Sequence, residues 1–406
     1  MWLLQAMLEE IRGNYKSLYS RIGVVGFVAL IDTSMISPVV ASYARSVGAD
    51  AATAGLVAGI YSAIAIPMIS LSGLISDRIG RKRLLAAGLA GDLIAMLSYA
   101  LAASPLHLLL TRMLHAVCDS LIIPPALALL GDVFRVRVAG PLSIFWIFVA
   151  AAIVAGSGSA SALVSAYGFW SVFAVVAALL LVSLISLRGL PSPTQRSGLK
   201  QPITHLLRRH WARIASSMTS ILGMYLLIGA VVGSLPSMLI DRYGFTEPSA
   251  AAQIGIFIAL STAISIPVFP IAARVSARRT PLIPIYAGLT ATITTALIME
   301  YALGQVAGLF AAAALFSVAL GSIIFSSSYL AVTLPAGVRG LGSGLNQSAS
   351  LMGVALGAPL SATYVQASGH QGVFIVFGVL PAAAVLVFLA IVRGLLTRAA
   401  EAAEDV

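Results

Sequence analysis

The chain has 406 residues, of which 59% are hydrophobic and only 9% are charged, and its mean hydropathy is +1.00. Because soluble domains carry about 25% charged residues, this composition excludes a soluble globular protein and indicates a chain that crosses a membrane several times. The single cysteine, Cys118, excludes an intramolecular disulfide and a thiolate metal cluster. The net charge of +10 comes from basic residues in short segments between apolar ones, so we expect no nucleic-acid partner.

Apolar windows of about 20 residues, the length that crosses a bilayer, recur along the chain and predict twelve transmembrane helices. The first six predicted spans are residues 20–44, 51–76, 82–103, 105–133, 139–164 and 167–188. The second six are residues 212–240, 247–274, 280–303, 305–334, 337–366 and 370–396. The predicted fold class is therefore an all-α membrane protein built from two six-helix bundles.

The longest hydrophilic stretch, residues 188–213, divides the chain into two halves that echo each other weakly, since a basic pair follows both span 2 and span 8. Two related halves of this kind are typical of secondary transporters. The predicted organisation is an amphipathic N-terminal segment at 1–19, a bundle at 20–188, a linker at 189–211, a bundle at 212–396 and a tail at 397–406.

The basic residues predict the orientation of the chain in the membrane. All of the 24 Lys and Arg except Arg45, Arg112 and Arg242 fall on one side of the predicted spans, which by the positive-inside rule is the cytoplasmic side. We therefore expect both termini in the cytoplasm and a multi-pass protein of the plasma or inner membrane. The first twenty residues are expected to lie on the membrane surface, not to form a cleaved signal peptide.

The string GLISDRIGRKR at residues 73–83 follows span 2 on the predicted cytoplasmic side. It resembles the G-x-L-x-D-R-x-G-R-[KR]-x loop of the major facilitator superfamily, in the place where that family carries it. The resemblance implies that Asp77 sits against the amino terminus of span 11, and that Arg81 links it to an acidic residue ending span 4, here Asp132. The implied gating residues are Gly73, Asp77, Arg78, Gly80, Arg81 and Asp132. The alternative is a solvated loop that only sets the topology.

Span 4 contains Arg112, His115 and Asp119, and offsets of three and seven place these side chains on one helical face. Ionisable groups at the bilayer centre cost from about 3 kcal/mol each, so they usually face a protein interior or a water-filled cavity. Arg112 and Pro124 match the family's R-x-x-Q-G-x-x-x-x-x-x-x-P motif, whereas His115 replaces its Gln. The resemblance implies that Arg112 tunes proton exchange on a nearby carboxylate. The alternative is a structural Arg112–Asp119 ion pair, with His115 hydrogen-bonded in the core.

Acidic residues also occur in the predicted spans 1, 3 and 9. Many exporters of cationic compounds in this family carry an acid in span 1 that faces the central cavity, so the resemblance implies such a role for Asp32. A buried carboxylate can hold a proton and exchange it for a cation. For Asp92 in span 3 we favour structural pairing, because that helix is usually peripheral in this fold. The sequence assigns no role to Glu300.

The antiporter signature that the family carries in span 5, G-x-x-x-G-P-x-x-G-G, is only partly present. The aligned positions hold Ala152, Gly156, Ser157, Ala160 and Ser161. Small residues persist and would allow close helix packing, but the proline and the final glycine pair are missing. The incomplete signature weakens the prediction of export, so import stays open as the alternative.

The second half offers neutral polar and sulfur-containing side chains for a substrate cavity. The candidates are Tyr225, Met224, Asn346 and Gln347. No G-x-x-x-x-G-K-[ST] string occurs, so ATP drive is not expected, and no residue spacing indicates a metal, a cofactor or enzymatic catalysis. We expect a monomer in the lipid bilayer whose partners are a small-molecule substrate and protons.

These features favour a secondary active transporter that works by alternating access and exports lipophilic or cationic small organic compounds in a proton-coupled manner. A proton symporter or uniporter of a small metabolite is the alternative. An alternative of another class is a membrane sensor or scaffold that no longer transports. The intact Asp77 loop argues against the last, because a static scaffold needs no gate.

Overall fold

The computed structural model describes residues 16–191, 202–301 and 306–404, and these residues form helices and no strand. The helices of the first half are α1 Lys16–Ile36, α2 Val40–Ser46, α3 Ala51–Ile79, α4 Arg81–Ala100, α5 Pro105–Asp119, α6 Ile123–Phe134, α7 Ala139–Tyr167 and α8 Trp170–Arg188. Those of the second half are α9 Ile203–Tyr243, α10 Glu247–Ser265, α11 Val268–Arg278, α12 Leu282–Tyr301, α13 Val306–Val332, α14 Arg339–Ser368 and α15 Leu380–Glu404. A 3-10 turn, Arg135–Arg137, follows α6, and a π-helical turn, Ile375–Val379, precedes α15.

The described helices include 11 spans that are long and apolar enough to cross a membrane, or 12 if the bent pair α10 and α11 counts as one. That pair bends by 47° at its break, which includes Pro267. The prediction of an all-α, multi-span membrane fold is confirmed.

The prolines explain where the observed helices depart from the predicted spans. The fourth span is two helices, α5 and α6, because Pro124 and Pro125 remove two backbone donors and their rings clash with carbonyls one turn earlier. The helix therefore opens at residues 120–122, directly after Asp119. A Pro inside a membrane helix is tolerated when neighbouring helices cover the freed backbone groups.

The segments predicted between and beyond the bundles fall partly outside the described residues. Of the N-terminal segment only 16–19 is described, and of the linker only 189–191 and 202–211. The end of the linker is helical, because α9 begins at Ile203 and runs for 41 residues. At about 1.5 Å per residue this helix is roughly 60 Å long, twice the hydrocarbon thickness. In the tail, α15 continues to Glu404.

The chain divides into two compact units, and the first comprises Met1–Gly198 with Pro335–Gly344. In it α1 packs against α7 and α8, while α5 packs against both α3 and α4. Small residues allow the close approach of α4 and α5: a Cβ atom on Gly88 would lie 3.0 Å from the Cys118 carbonyl oxygen. This approach brings Asp92 on α4 beside His115 on α5.

The second unit comprises Leu199–Leu334 and Leu345–Val406. Helix α13 packs against α9, α10, α11 and α12. Glycines also bring α9 and α14 together, since a Cβ atom on Gly229 would lie 2.7 Å from the Cα of Gly357. Glu300 at the end of α12 accepts hydrogen bonds from the backbone N–H groups of Gly372 (2.6 Å) and Phe374 (3.1 Å). Its carboxylate therefore fixes the segment that leads into α15.

Candidate functional site

Five ionisable side chains meet inside the first unit, and we call them the ionisable cluster: Asp32, Asp92, Arg112, His115 and Asp119. They come from three helices, α1, α4 and α5, and Tyr61 on α3 and Tyr99 on α4 complete the site. Asp32, Asp92 and His115 are 0% exposed and Arg112 is 2% exposed, whereas Asp119 is partly exposed. All four residues that the sequence predicted for coupling therefore lie together, and Asp92 joins them.

His115 lies at the centre of the ionisable cluster. Its Nε2 is 3.3 Å from Oδ2 of Asp32 and 3.4 Å from Oδ1 of Asp92. Its Nδ1 is 3.3 Å from Nη1 of Arg112 and 3.4 Å from the hydroxyl of Tyr99. A guanidinium group only donates, so Nδ1 must accept and is unprotonated, which leaves the proton of a neutral imidazole on Nε2. One N–H group therefore faces two carboxyl groups.

Asp119 is held by hydroxyl groups from two other helices. The Tyr61 hydroxyl donates to Oδ2 of Asp119 in a short hydrogen bond, and the Thr33 hydroxyl lies 3.5 Å from the same oxygen. The guanidinium carbon of Arg112 lies 4.5 Å from the centre of the Tyr61 ring. Arg112 is therefore linked to Asp119 through Tyr61, because the guanidinium stacks on the Tyr61 ring and the hydroxyl of that ring donates to the Asp119 carboxylate.

The structure does not form the Arg112–Asp119 ion pair that the sequence left open as the structural alternative. Among the described residues no ion pair within 4.0 Å includes Arg112. Both residues lie on α5, where seven residues separate them by about 10 Å along the helix axis, and Tyr61 contacts both. The partners of Arg112 are His115 and the Tyr61 ring.

Asp92 is the least satisfied of the three carboxyl groups. Neither of its oxygens accepts a hydrogen bond from the described residues. Its polar neighbours are Nε2 of His115 at 3.4 Å and the carboxyl group of Asp32, which has an oxygen within 4.8 Å. Asp32, Asp92 and His115 are also the set of potential metal ligands found in the described part of the chain, with ligand atoms within 4.8 Å of one another. The three groups could therefore hold a positive ion, whether a proton or a metal.

The predicted gating residues form a second cluster in the first unit, around the start of α14. The oxygens of Asp77 accept from the backbone N–H groups of Gly340 and Leu341, each at 3.0 Å. These donors are among the orphan N–H groups of the helix, where a carboxylate is favoured. Arg81 contacts Asp77 at 2.7 Å and Asp132 at 2.8 Å, as the family resemblance implies.

Arg339 is a member of this cluster that sequence reasoning missed. It forms a short ion pair with Asp132, so we define the gating cluster as Asp77, Arg81, Asp132 and Arg339. The signal was present in the string GVRGLG, where a basic residue precedes the turn that opens span 11. Arg78, by contrast, is exposed.

The structure explains why two positions of the predicted loop are glycine. A Cβ atom on Gly73 would collide with the backbone carbonyl of Gly340, so only glycine permits this approach of α3 to the start of α14. Gly80 has a φ of +106°, in the region that favours glycine, at the sharp turn between α3 and α4.

The predicted cavity residues lie in the second unit, separately from the ionisable cluster in the first. Asn346 is fully buried and its amide donates to the Ser217 hydroxyl at 2.9 Å, while Gln347 donates to the Asn346 side chain at 3.3 Å. Met224 is also fully buried, and Tyr225 is half-buried. Asn346 therefore bonds α14 to α9, and Tyr225 retains accessible surface.

The fold and the buried charges define the class of protein, a polytopic membrane carrier in which ionisable groups are held away from lipid. The family model described as the Major Facilitator Superfamily matches residues 22–335, and the chain belongs to that family. Members of this family are transporters rather than enzymes. The transporter class predicted from the sequence is thus confirmed.

Curated relatives match only parts of the chain. Multidrug resistance protein MdtG of Rahnella sp. (strain Y9602) is 29% identical over 163 residues, which are 39% of this chain and 40% of that protein. The uncharacterized MFS-type transporter YqjV of Bacillus subtilis (strain 168) is 35% identical over 101 residues, 25% of each chain. These matches span less than half the length of either relative.

Solved structures match over nearly the whole chain. The human organic anion transporter MFSD10 (TETRAN) superposes with a TM-score of 0.74 at 14% identity, covering 93% of this chain and 99% of that one. The transporter FucP, in its outward conformation, superposes with a TM-score of 0.71 at 15% identity, covering 92% and 98%. At such identities the likeness concerns the fold.

Proposed function

We propose that this major facilitator protein is a proton-coupled exporter of lipophilic or cationic small organic compounds that works by alternating access. The ionisable cluster is the observation that carries the proposal. Three carboxyl groups, one guanidinium and one imidazole lie in a bundle of membrane helices. Burying each of them has a free-energy cost that the helical fold by itself does not require. A buried cluster with more acids than bases favours uptake of positive charge.

The proposed roles follow from the contacts within the cluster. Asp32 accepts the proton or the positive group of the cargo, since it lies in full burial against His115 and receives the Thr33 backbone N–H. His115 connects the acids of α1 and α4 to Arg112 and can relay a proton between them. Asp119 is the partly exposed member and is proposed as the entry point for protons or cargo.

The proposed class of cargo rests on the acidic character of the ionisable cluster and on a relative that matches part of the chain. An acidic site flanked by the aromatic rings of Tyr61 and Tyr99 is complementary to a lipophilic cation. The stretch of 163 residues shared with a protein named for multidrug resistance supports the same class. The residues Tyr225, Met224, Asn346 and Gln347 are proposed as substrate-cavity residues of the second unit, and Tyr225 is the one that retains accessible surface.

The gating cluster is proposed to hold one conformation of the transport cycle. Asp77 caps α14, and Arg81 and Arg339 flank Asp132, so breaking these contacts would release the start of α14 from α3. On this proposal the cluster lies on the cytoplasmic side, both termini are cytoplasmic, and the protein is a monomer in the plasma or inner membrane.

A proton symporter or uniporter of a small metabolite is the second candidate, favoured by the missing proline and glycines of the span-5 signature. In the structure Gly156 does retain the close packing expected there, since a Cβ atom would lie 2.8 Å from the Cβ of Ser34. The close α1–α7 contact is therefore present without the full signature, and the direction of transport decides between the two candidates.

The test is transport in proteoliposomes with an imposed pH gradient, using a fluorescent monovalent lipophilic cation as the probe. Wild type is expected to move the probe against its gradient only while the proton gradient lasts, and Asp32→Asn is expected to abolish that driven component. The matched control is Asp50→Asn, because Asp50 is an exposed cap of α3 and Asn caps equally well. Undiminished, pH-driven transport by Asp32→Asn would refute the role of Asp32, and a rate independent of pH gradient would favour the uniporter.

A further inference from the structure

We propose that Asp32, Asp92 and His115 form a binding site for one divalent transition-metal ion of the zinc type. The spacing of these residues in the sequence did not indicate a metal, because they lie far apart in the chain and meet only where α1, α4 and α5 come together. The site goes beyond the proposed function, since metal binding requires no coupling between protons and cargo.

The distances between the three side chains match those between neighbouring ligands of a zinc ion. Zinc binds imidazole nitrogen and carboxylate oxygen at about 2.0–2.2 Å with tetrahedral angles, which places neighbouring ligand atoms about 3.3–3.6 Å apart. Nε2 of His115 lies 3.3 Å from Oδ2 of Asp32 and 3.4 Å from Oδ1 of Asp92. One ligand atom from each residue lies within 4.8 Å of the other two. Small rotations of the two carboxyl groups are therefore enough for one ion to contact all three ligands.

Asp92 is the observation that points to a ligand. It is 0% exposed, and neither of its oxygens accepts a hydrogen bond from the described residues, although Oδ1 faces the His115 ring. Asp32, by contrast, accepts from the backbone N–H of Thr33. A buried carboxylate needs a positive or hydrogen-bonding partner, and a bound cation supplies one.

The charge of the ionisable cluster favours a divalent ion. Three ionised carboxyl groups and one guanidinium carry a net charge of about −2 when the imidazole is neutral. One divalent ion neutralises this charge, whereas a monovalent inorganic ion leaves a negative charge buried. The ligand types select among the divalent ions, because imidazole suits zinc and its neighbours in the transition series, while Mg²⁺ and Ca²⁺ prefer oxygen ligands alone.

His115 can offer Nε2 to the ion through a change of tautomer. The contact of Nδ1 with Arg112 places the proton of the neutral ring on Nε2. Zinc binding needs the lone pair of Nε2, so the proton moves to Nδ1, where the Tyr99 hydroxyl at 3.4 Å can accept it. Metal-binding histidines commonly donate their second N–H in this way, and Arg112 keeps its stacking contact with Tyr61.

An ion bound here contacts Asp32, the residue proposed to exchange protons for cargo. Zinc is therefore expected to inhibit proton-driven transport in competition with the cationic cargo. This consequence, unlike the metal site itself, rests on the proposed function.

The experiment measures Zn²⁺ binding to the purified full-length protein in detergent, after removal of metals with EDTA, by competition with a chromogenic zinc chelator. Wild type is expected to bind one Zn²⁺ tightly, and Mg²⁺ is not expected to displace it. Mutation of residues that only support metal ligands costs about 10–100-fold in affinity, so Asp92→Asn, which alters a ligand, should weaken binding by more than about 100-fold.

Two variants serve as controls. Asp119→Asn removes an acid of the same cluster that is outside the ligand set, and it should keep the affinity to within about tenfold. His370→Ala removes a surface histidine that lies 2.8 Å from Asp241 and could hold zinc adventitiously, and the tight site should persist in it.

A second readout is X-ray absorption at the zinc edge of the wild-type protein. We expect nitrogen and oxygen ligands at about 2.0–2.1 Å, with one imidazole and no sulfur, which excludes the buried thiol of Cys118 and decides the question even if Asp92→Asn does not fold. A sulfur ligand, a second imidazole, undiminished binding by Asp92→Asn or no binding by wild type would overturn the proposal. Zinc bound with these ligands but without effect on proton-driven transport would refute the exchange role of Asp32 and leave the metal site standing.

Discussion

Tyr61 connects the positive and negative members of the ionisable cluster. Its ring lies 4.5 Å from the Arg112 guanidinium carbon, and its hydroxyl donates to Asp119. The two contacts use different parts of the side chain, so they can be separated by mutation. The hydroxyl supplies the stronger of the two donors to Asp119, because the Thr33 hydroxyl is 3.5 Å away.

We expect Tyr61→Phe to keep the ring beneath Arg112 and to remove the hydrogen bond to Asp119. Hydrogen bonds to charged groups contribute about 1.5–3 kcal/mol, so the free energy of unfolding should fall by that amount. Equilibrium unfolding in mixed micelles measures the change. Tyr99→Phe is the control and should cost less, because the Tyr99 hydroxyl lies 3.4 Å from a neutral imidazole. Equal losses in the two variants would contradict the assignment of Tyr61 as the principal donor.

Helical periodicity was sufficient to place Arg112, His115 and Asp119 on one face, and the costs of burying charge made Asp32 a candidate. The same reasoning could not find Tyr61 or Thr33, because a neutral side chain in an apolar span carries no burial penalty that marks it. Asp92 was noticed but assigned to the periphery, since nothing in the sequence shows that Gly88 lets α4 approach α5. Contacts between helices depend on such local register.

Helix α3 carries a matched pair of glycines for testing the gating cluster. Gly73 lies where a Cβ atom would collide with Gly340, whereas a Cβ atom on Gly59 would have nothing within 4 Å. The contact at Gly73 is what allows Asp77 to reach the N–H groups at the start of α14.

We expect Gly73→Ala to separate α3 from residues 335–344 and to expose the buried Ser76. Ser76→Cys in a Cys118→Ser background reports this change through its rate of labelling by a water-soluble maleimide. Labelling should rise with Gly73→Ala and stay unchanged with Gly59→Ala, which should only gain the roughly 0.5–1 kcal/mol of an alanine in a helix. Unchanged labelling in both would mean that the close contact does not control the gate.

The apolar composition was sufficient to predict the membrane-spanning helices, but it did not predict where proline residues break them. Windows of apolar residues marked the spans, but they joined α5 to α6 and α10 to α11, because a broken helix and a continuous one have the same hydropathy. Pro124, Pro125 and Pro267 were visible as kinks, yet the sequence does not reveal whether neighbouring helices will cover an opened backbone.

The molecule as a whole belongs to the major facilitator family, and its proposed orientation comes from basic residues alone. A fluorescent reporter that matures only in the cytoplasm, fused after Val406 or at the amino terminus, should be bright at both ends. Fusion within residues 245–248, after α9, should be dark. A bright fusion there would reverse the topology and place the gating cluster on the opposite side of the membrane.

The proposed exchange requires positive cargo and protons to compete for the same buried carboxyl groups. The direct measurement is proton release when a monovalent lipophilic cation binds to the purified protein in weakly buffered detergent solution. We expect wild type to release about one proton per bound cation and Asp32→Asn to release none. Saturable binding by wild type without any proton release would contradict it.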